Sequence, residues 1–224
     1  MTKELQKRLF TSFILIFVLV VCLFLNKFSW LILVIAASII IFLEFNNLVN
    51  KIWKKKESSK HFIKIICFFY LLLFIYSAYF VYEIGLLDII IILSICIFSD
   101  IGGYVVGKAI GGKKLIKISP NKTISGSIGS FLFSLIPVIF CFIISNYTNN
   151  RNFKIYEPLI GVIFSCLAIS LVCQLGDLFI SYFKRRAKVK DTGSLLPGHG
   201  GIMDRIDGII FGLPFGLLIL ILFF

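Results

Sequence analysis

Apolar residues in this chain fall in long unbroken runs separated by short polar breaks, with no strict alternation of the kind a half-buried strand shows. Leu9–Leu25, Phe28–Leu43, Phe62–Tyr82, Ile128–Ile144, Pro158–Phe183 and Ile206–Phe224 approach the length of about 20 residues that a helix needs to cross a bilayer. Leu86–Phe98 is too short unless it continues through Asp100-Ile-Gly-Gly-Tyr104-Val-Val-Gly107. The pattern predicts an all-α, polytopic integral membrane helical bundle of about seven transmembrane helices. The predicted breaks are a polar head at Met1–Arg8, a turn at Asn26-Lys27 and a lysine-rich loop at Asn46–His61. They continue with an acidic turn at Glu83–Asp88, a basic glycine-rich loop at Lys108–Gly126, an asparagine-rich loop at Ser145–Glu157, and a dense polar stretch from Ser181 to Asp207. Glu44 closes the second run. No repeat or soluble domain boundary interrupts the chain, so residues 1–224 read as a single domain.

Composition strengthens the membrane assignment. Of 224 residues 59% are hydrophobic and 15% charged, and the mean hydropathy is +1.01; a soluble domain is nearer half apolar and a quarter charged. The net charge of +12 could suggest nucleic acid, but the distribution of the basic residues favours a topological role, and no nucleic-acid partner is expected. With the N-terminus inside and seven spans, twenty basic side chains fall on inner segments, against Lys27, Arg151 and Lys154 outside. That is the positive-inside bias. It predicts a multi-pass protein of the cell inner (cytoplasmic) membrane, with both glycine-bearing polar loops facing the cytoplasm. The six cysteines all sit in apolar runs without a CxxC pair and read as small buried hydrophobes. The first apolar run has no A-x-A-like end and reads as a retained span.

The candidate chemistry lies in carboxylates and basic loops. Asp100, Asp177, Asp204 and Asp207 are each expected at the cytoplasmic end of an apolar helix, where an acid in a costly environment is a functional candidate. Asp204 and Asp207 are three apart, which a helix would place on one face. Neither Asp177 nor Asp204 has a basic residue four positions away on its own helix. Capping or pairing with nearby Lys and Arg is the ordinary alternative. Oxygen ligands of this kind suit Mg²⁺, which uses one or two carboxylates with substrate phosphates. The segments from Gly107-Lys108 to Lys114 and from Ser119 through Lys122, Thr123 and Gly126 to Gly129 offer backbone N–H groups, hydroxyls and ammonium groups for phosphate. Neither is a Walker A motif, and such loops are often ordinary solvated turns. His199 sits in Pro-Gly-His-Gly-Gly, where glycine lets the backbone turn sharply.

The spacing of the C-terminal polar stretch resembles the phosphatidate cytidylyltransferase (CDP-diacylglycerol synthase) family. The residues carrying the likeness are Ser181, Lys184, Arg185, Lys190, Asp191, Gly193, Pro197, His199, Gly200, Gly201, Asp204, Arg205 and Asp207. Upstream, Asp100 with Tyr104, Gly107-Lys108, Ser119-Pro120, Lys122-Thr123 and Gly176-Asp177 look like the family's other elements. Ile180 departs from the pattern, since an acidic residue often precedes the signature serine. The resemblance covers about Asp100 to the C-terminus, with the catalytic half at about 100–207.

It implies the reaction of CTP with phosphatidate, a membrane lipid, to give CDP-diacylglycerol and pyrophosphate for phospholipid biosynthesis. It also implies roles for individual residues. Asp177, Lys184, Arg185, Lys190, Asp204 and Arg205 are the catalytic candidates. Asp100, Tyr104, Lys108, Ser119, Lys122, Thr123, Ser181, His199, Gly200 and Gly201 are the substrate-binding candidates. Asp177, Asp204 and Asp207 would hold Mg²⁺. Another CTP-dependent lipid enzyme (a polyprenol kinase or an ether-lipid cytidylyltransferase) and a transporter are the alternatives. Acids at helix ends, not midpoints, argue against the last. Oligomeric state is left open, a homodimer included.

Overall fold

The computed structural model describes residues 3–54, 57–116, 119–148, 159–196, 198 and 200–223. Among the described residues, eight helices and one hairpin appear in the order α1 (Lys3–Leu25), α2 (Lys27–Ile52), α3 (Glu57–Ile84), α4 (Leu86–Ile110), β1 (Lys114–Ile116), β2 (Ser119–Thr123), α5 (Ile124–Ser134), α6 (Ile136–Thr148), α7 (Leu159–Arg186) and α8 (Met203–Phe223). Among the described residues, six helical segments are long and apolar enough to cross a membrane: α2, α3, α4, Ile124–Ile144, Ile160–Arg186 and α8. A shorter apolar helix, Phe10–Leu25, lies within α1. The all-α polytopic bundle expected from the runs is therefore what the chain forms.

The helices outrun the apolar runs that predicted them. α2 continues to Ile52 and α3 starts at Glu57, so most of the expected Asn46–His61 loop is helix. α4 passes unbroken through Asp100 to Ile110. Asp100 therefore sits ten residues before the end of its helix, and Asp177 nine before the end of α7. Both were expected at helix ends, and both lie inside. A helix satisfies its backbone internally, so a polar residue whose side chain has polar company need not end it. Pro137, which lacks an N–H, is the second residue of α6, just after the break at Leu135 where α5 stops at Ser134.

The chain forms two compact units, Met1–Glu83 with Ile180–Asp207, and Ile84–Phe179 with Gly208–Phe224. In the first, α2 buries Trp30, Val34, Ser38, Ile41, Glu44, Phe45, Leu48 and Val49, a stripe of helical period. Asn26 caps it: its side chain accepts from Ser29 N at 2.8 Å, and Ser29 Oγ accepts from Asn26 N at 3.2 Å, a reciprocal capping box. Polar atoms at the same end are matched across helices. Trp30 Nε1 donates to Ala78 O at 3.0 Å, Tyr82 Oη to Leu23 O at 3.2 Å, and Lys27 pairs with Glu83 at 2.8 Å. Toward the other end of α2, Phe183 packs on Phe45 and Trp53, and the Arg186 guanidinium lies 5.3 Å from the Trp53 ring centre.

In the second unit α4 and α5 approach through glycine. A Cβ on Gly102 would stand 2.4 Å from Gly129 O, and one on Gly126 2.8 Å from Gly103 O. Small residues let membrane helices close on each other where lipid supplies no hydrophobic drive. Gly126 and Gly129, expected to serve phosphate binding, are buried at this seam. The Gly126 N–H is already used as well, donating to Thr123 Oγ1 at 3.1 Å as the cap of α5. Ser99 and Ser170 share a buried hydrogen bond of 2.8 Å, and Gly212 lies against the sulfurs of Cys96 and Cys173. All six cysteines are free thiols.

Candidate active site

The expected site residues fall into two clusters, one in each unit. In the second unit the chain between α4 and α5 is a two-stranded antiparallel hairpin, pairing Lys114 with Thr123 and Ile116 with Ser119. The hairpin carries Ser119, Lys122 and Thr123 to a cavity of about 330 Å³. Asp100, Gly103 and Tyr104 of α4, Gly126, Ser127 and Ser130 of α5, and Gln174 and Asp177 of α7 complete its wall with Leu115. Six residues singled out in the sequence thus meet here: Asp100, Tyr104, Ser119, Lys122, Thr123 and Asp177. Sequence reading passed over Ser127 and Gln174, which hydrogen-bond each other at 2.5 Å. Ser127 is one of four serines on α5, and Gln174 lies on α7 one turn before Asp177.

Lys122 Nζ stands 2.5 Å from Asp177 Oδ2, with both side chains about three-quarters buried. Asp100 lines the same cavity as this pair. The cavity therefore holds two carboxylates and one ammonium among hydroxyls and an amide. Lys108 is exposed on α4 outside this lining, its Nζ 5.7 Å from the centre of the Tyr104 ring.

The second cluster, in the first unit, is built on Asp204. Its Oδ1 accepts from Lys184 Nζ at 2.8 Å. Its Oδ2 accepts from Thr192 N at 2.7 Å and Gly201 N at 3.1 Å, with Thr192 Oγ1 at 3.0 Å. Gly200 has φ +82°, and a Cβ there would stand 3.0 Å from Asp204 Oδ2. Leu196 and Gly200 exchange backbone hydrogen bonds of 2.9 and 3.2 Å, closing the turn between them. Arg185, Lys190 and Arg205 are exposed, Ser181 is half-buried, and His199 lies outside the described residues.

Asp177 and Asp204 pair with Lys122 and Lys184 through tertiary contacts and not along the helix, as the ordinary alternative of pairing with Lys allowed. One expectation is corrected here. Asp204 and Asp207 do not share a simple helical face, because Ile206 between them leaves helical geometry at φ −126°, ψ 18°. Asp207 is buried, and the Asp204 side chain is only 5% exposed.

Among the described residues no three or more His, Cys, Asp or Glu side chains gather as a metal cage. The first cluster nevertheless suits a hard cation. Asp100 and Asp177 with Ser119, Thr123 and Gln174 are oxygen donors on one cavity wall, and Mg²⁺ takes few protein ligands when phosphates supply the rest. Asp204 fits less well as a direct ligand, since three N–H donors already approach its two oxygens.

Fold and site define a class: a helical membrane protein with an acid–base cavity among its helices and a glycine-turned polar loop ahead of its last helix. Residues 52–223 match the Cytidylyltransferase family, and the chain belongs to that family. It is 46% identical over 126 residues to a phosphatidate cytidylyltransferase of Rickettsia bellii, covering 55% of this chain and 52% of that protein. It is 40% identical over 126 residues to the Bacillus subtilis phosphatidate cytidylyltransferase, covering 56% and 44%. With the enzyme of that name from Staphylococcus aureus strain COL it shares 48% over 117 residues, covering 52% and 42%. The chain spans about half the length of these curated relatives.

Proposed function

We propose that this chain transfers the cytidylyl group of CTP to phosphatidate, forming CDP-diacylglycerol and releasing pyrophosphate. The observation that carries the reading is the Lys122–Asp177 pair set beside Asp100 and a row of hydroxyls in one cavity, in a chain of the Cytidylyltransferase family. A phosphatidate oxygen attacks the α-phosphorus of CTP, the bond to the bridging oxygen breaks, and pyrophosphate departs with that oxygen. No general base is needed, because a phosphate monoester is already mostly ionised at neutral pH. The site must instead neutralise two polyanions and hold them in line.

Asp177 and Asp100 would hold Mg²⁺ in this reading. Bound there, the ion supplies charge neutralisation at phosphate oxygens. Lys122 neutralises Asp177 in the absence of substrate and gives its ammonium to phosphate when CTP enters. Ser119, Thr123, Tyr104 and Lys108 serve the same nucleotide from the cavity and its surroundings. Lys184 is oriented by Asp204, and with Arg185, Lys190 and Arg205 it offers positive charge to phosphate. Ser181, His199, Gly200 and Gly201 keep the binding roles implied by the resemblance. Asp204 and Asp207 organise the loop and the start of α8, Asp204 through the hydrogen bonds described.

Purified protein in detergent with CTP, Mg²⁺ and phosphatidate should yield CDP-lipid and pyrophosphate in equal amounts, with ATP and GTP competing poorly. Release of CDP with a phosphorylated lipid would indicate a kinase. No CDP-lipid, or competition by ATP as strong as by unlabelled CTP, would overturn the reading.

The positive-inside bias supports a site on the cytoplasmic face of the inner membrane. Cysteines placed singly at Ser58 and Ser194 in a cysteine-free background should react with an impermeant thiol reagent in inverted vesicles and not in intact cells. Labelling from outside at either position would reverse the orientation.

A further inference from the structure

Glu44 is a carboxylate buried in the middle of the α2 stripe, only 6% exposed, and it precedes the family-matched stretch that begins at residue 52. A buried charge is costly unless fully hydrogen-bonded. Among the described residues, Glu44 accepts hydrogen bonds from neutral donors on the signature loop and at the start of α8. Its Oε1 accepts from Ile202 N at 3.0 Å, and its Oε2 from Met203 N at 3.0 Å and Thr192 Oγ1 at 2.7 Å. Gly201 N goes to Asp204, so two carboxylates take up successive N–H groups at the start of α8. A helix N-terminus favours such charge.

The glycines of the loop fit this side chain. A Cβ on Gly201 would come 2.3 Å from Glu44 Oε2, and one on Gly193 2.7 Å from Glu44 Oε1. Both positions must stay bare for the carboxylate to enter. Thr192 links the two acids: its hydroxyl lies 2.7 Å from Glu44 and 3.0 Å from Asp204, with one proton to donate. The placement of Asp204, and of Lys184 upon it, thus depends on where Glu44 holds Thr192 and the α8 N-terminus.

We propose that Glu44 is a positioning residue for the transfer reaction: it anchors the Thr192–Met203 loop and through Thr192 sets Asp204 and Lys184. The kinetic consequence rests on the cytidylyltransferase reading, whereas the anchoring does not. Glu44→Gln is the sharp test, because either amide orientation turns an NH₂ toward the N–H of Ile202 or Met203. The expected result is a fall in kcat of about 10- to 100-fold with KM for CTP within about threefold. Trypsin cleavage after Lys188 or Lys190, read by mass spectrometry on the full chain, should quicken. Glu44→Asp should recover part of both. Thr192→Val, which removes only the hydroxyl link, should lower kcat non-additively with Glu44→Gln and substitutes for it if that variant does not fold.

Wild-type kcat in folded Glu44→Gln overturns the proposal, whether or not cleavage quickens. So does a change confined to KM, or additive effects of the two substitutions. Should the wild-type protein make no CDP-lipid, the reaction assignment fails on its own. The cleavage rates then decide the anchor: unchanged loop protection in Glu44→Gln refutes it, and faster cleavage partly reversed in Glu44→Asp upholds it.

Discussion

Asp177→Asn should lower turnover by about 100-fold or more while leaving the protein folded and inserted, a loss of the size seen when one electrostatic contact to a transition state is removed. The side chain keeps its shape and loses its charge. Two consequences follow from the cavity's arrangement. Lys122, now 2.5 Å from a carboxylate, would face a neutral amide and bind phosphate before the metal could share it. Mg²⁺ would retain Asp100 alone, and hard divalent cations bind through charged oxygen. The measurement is kcat over a Mg²⁺ titration, with size-exclusion behaviour in detergent as the control for integrity. Saturating Mg²⁺ should not restore the rate, because the loss falls on charge stabilisation in the transition state. Near wild-type kcat at any Mg²⁺ concentration would remove Asp177 from the reaction.

The sequence made some of this legible because different physical signals act over different ranges. Spans could be read because a membrane helix must be apolar along most of its length. Their ends could not, because Asn46, Asn47, Asn50 and Lys51 continue α2 although they read as a loop. The hairpin β1–β2 was invisible: it is short, it contains Pro120, and its register reflects where α4 and α5 leave its ends. Asp100 and Asp177 were singled out as acids in apolar helices and Lys122 as a cation of the basic loop, yet their meeting in one cavity is a tertiary fact. The glycines divided by cause. Gly200 does serve a sharp turn at positive φ, while Gly126 and Gly129 serve helix contact. Glu44 was noticed as the end of a run and assigned nothing, since its partner Thr192 lies 148 residues away. A family pattern that starts after it offers no help.

Asp204→Asn should also abolish most turnover, and it should carry a loss of stability. Asparagine caps a helix about as well as aspartate, so its carbonyl can take over the donors at Thr192 N and Gly201 N. That choice turns its NH₂ toward Lys184 Nζ, which is 2.8 Å from Asp204 Oδ1 with its side chain only 15% exposed. An ammonium in such a place loses a charge-assisted hydrogen bond, a destabilisation of about 1–3 kcal/mol. The thermal midpoint in detergent should fall measurably in the single variant. Adding Lys184→Met removes the stranded charge, so the double variant should regain much of the lost stability. It should regain none of the turnover, because the ammonium that Asp204 oriented toward phosphate is gone. Stability is therefore expected to recover in the double variant while turnover stays lost. If the single variant is as stable as the wild type, Asp204 and Lys184 do not form the pair described. If the double variant recovers activity, the pair holds the fold and has no part in the reaction.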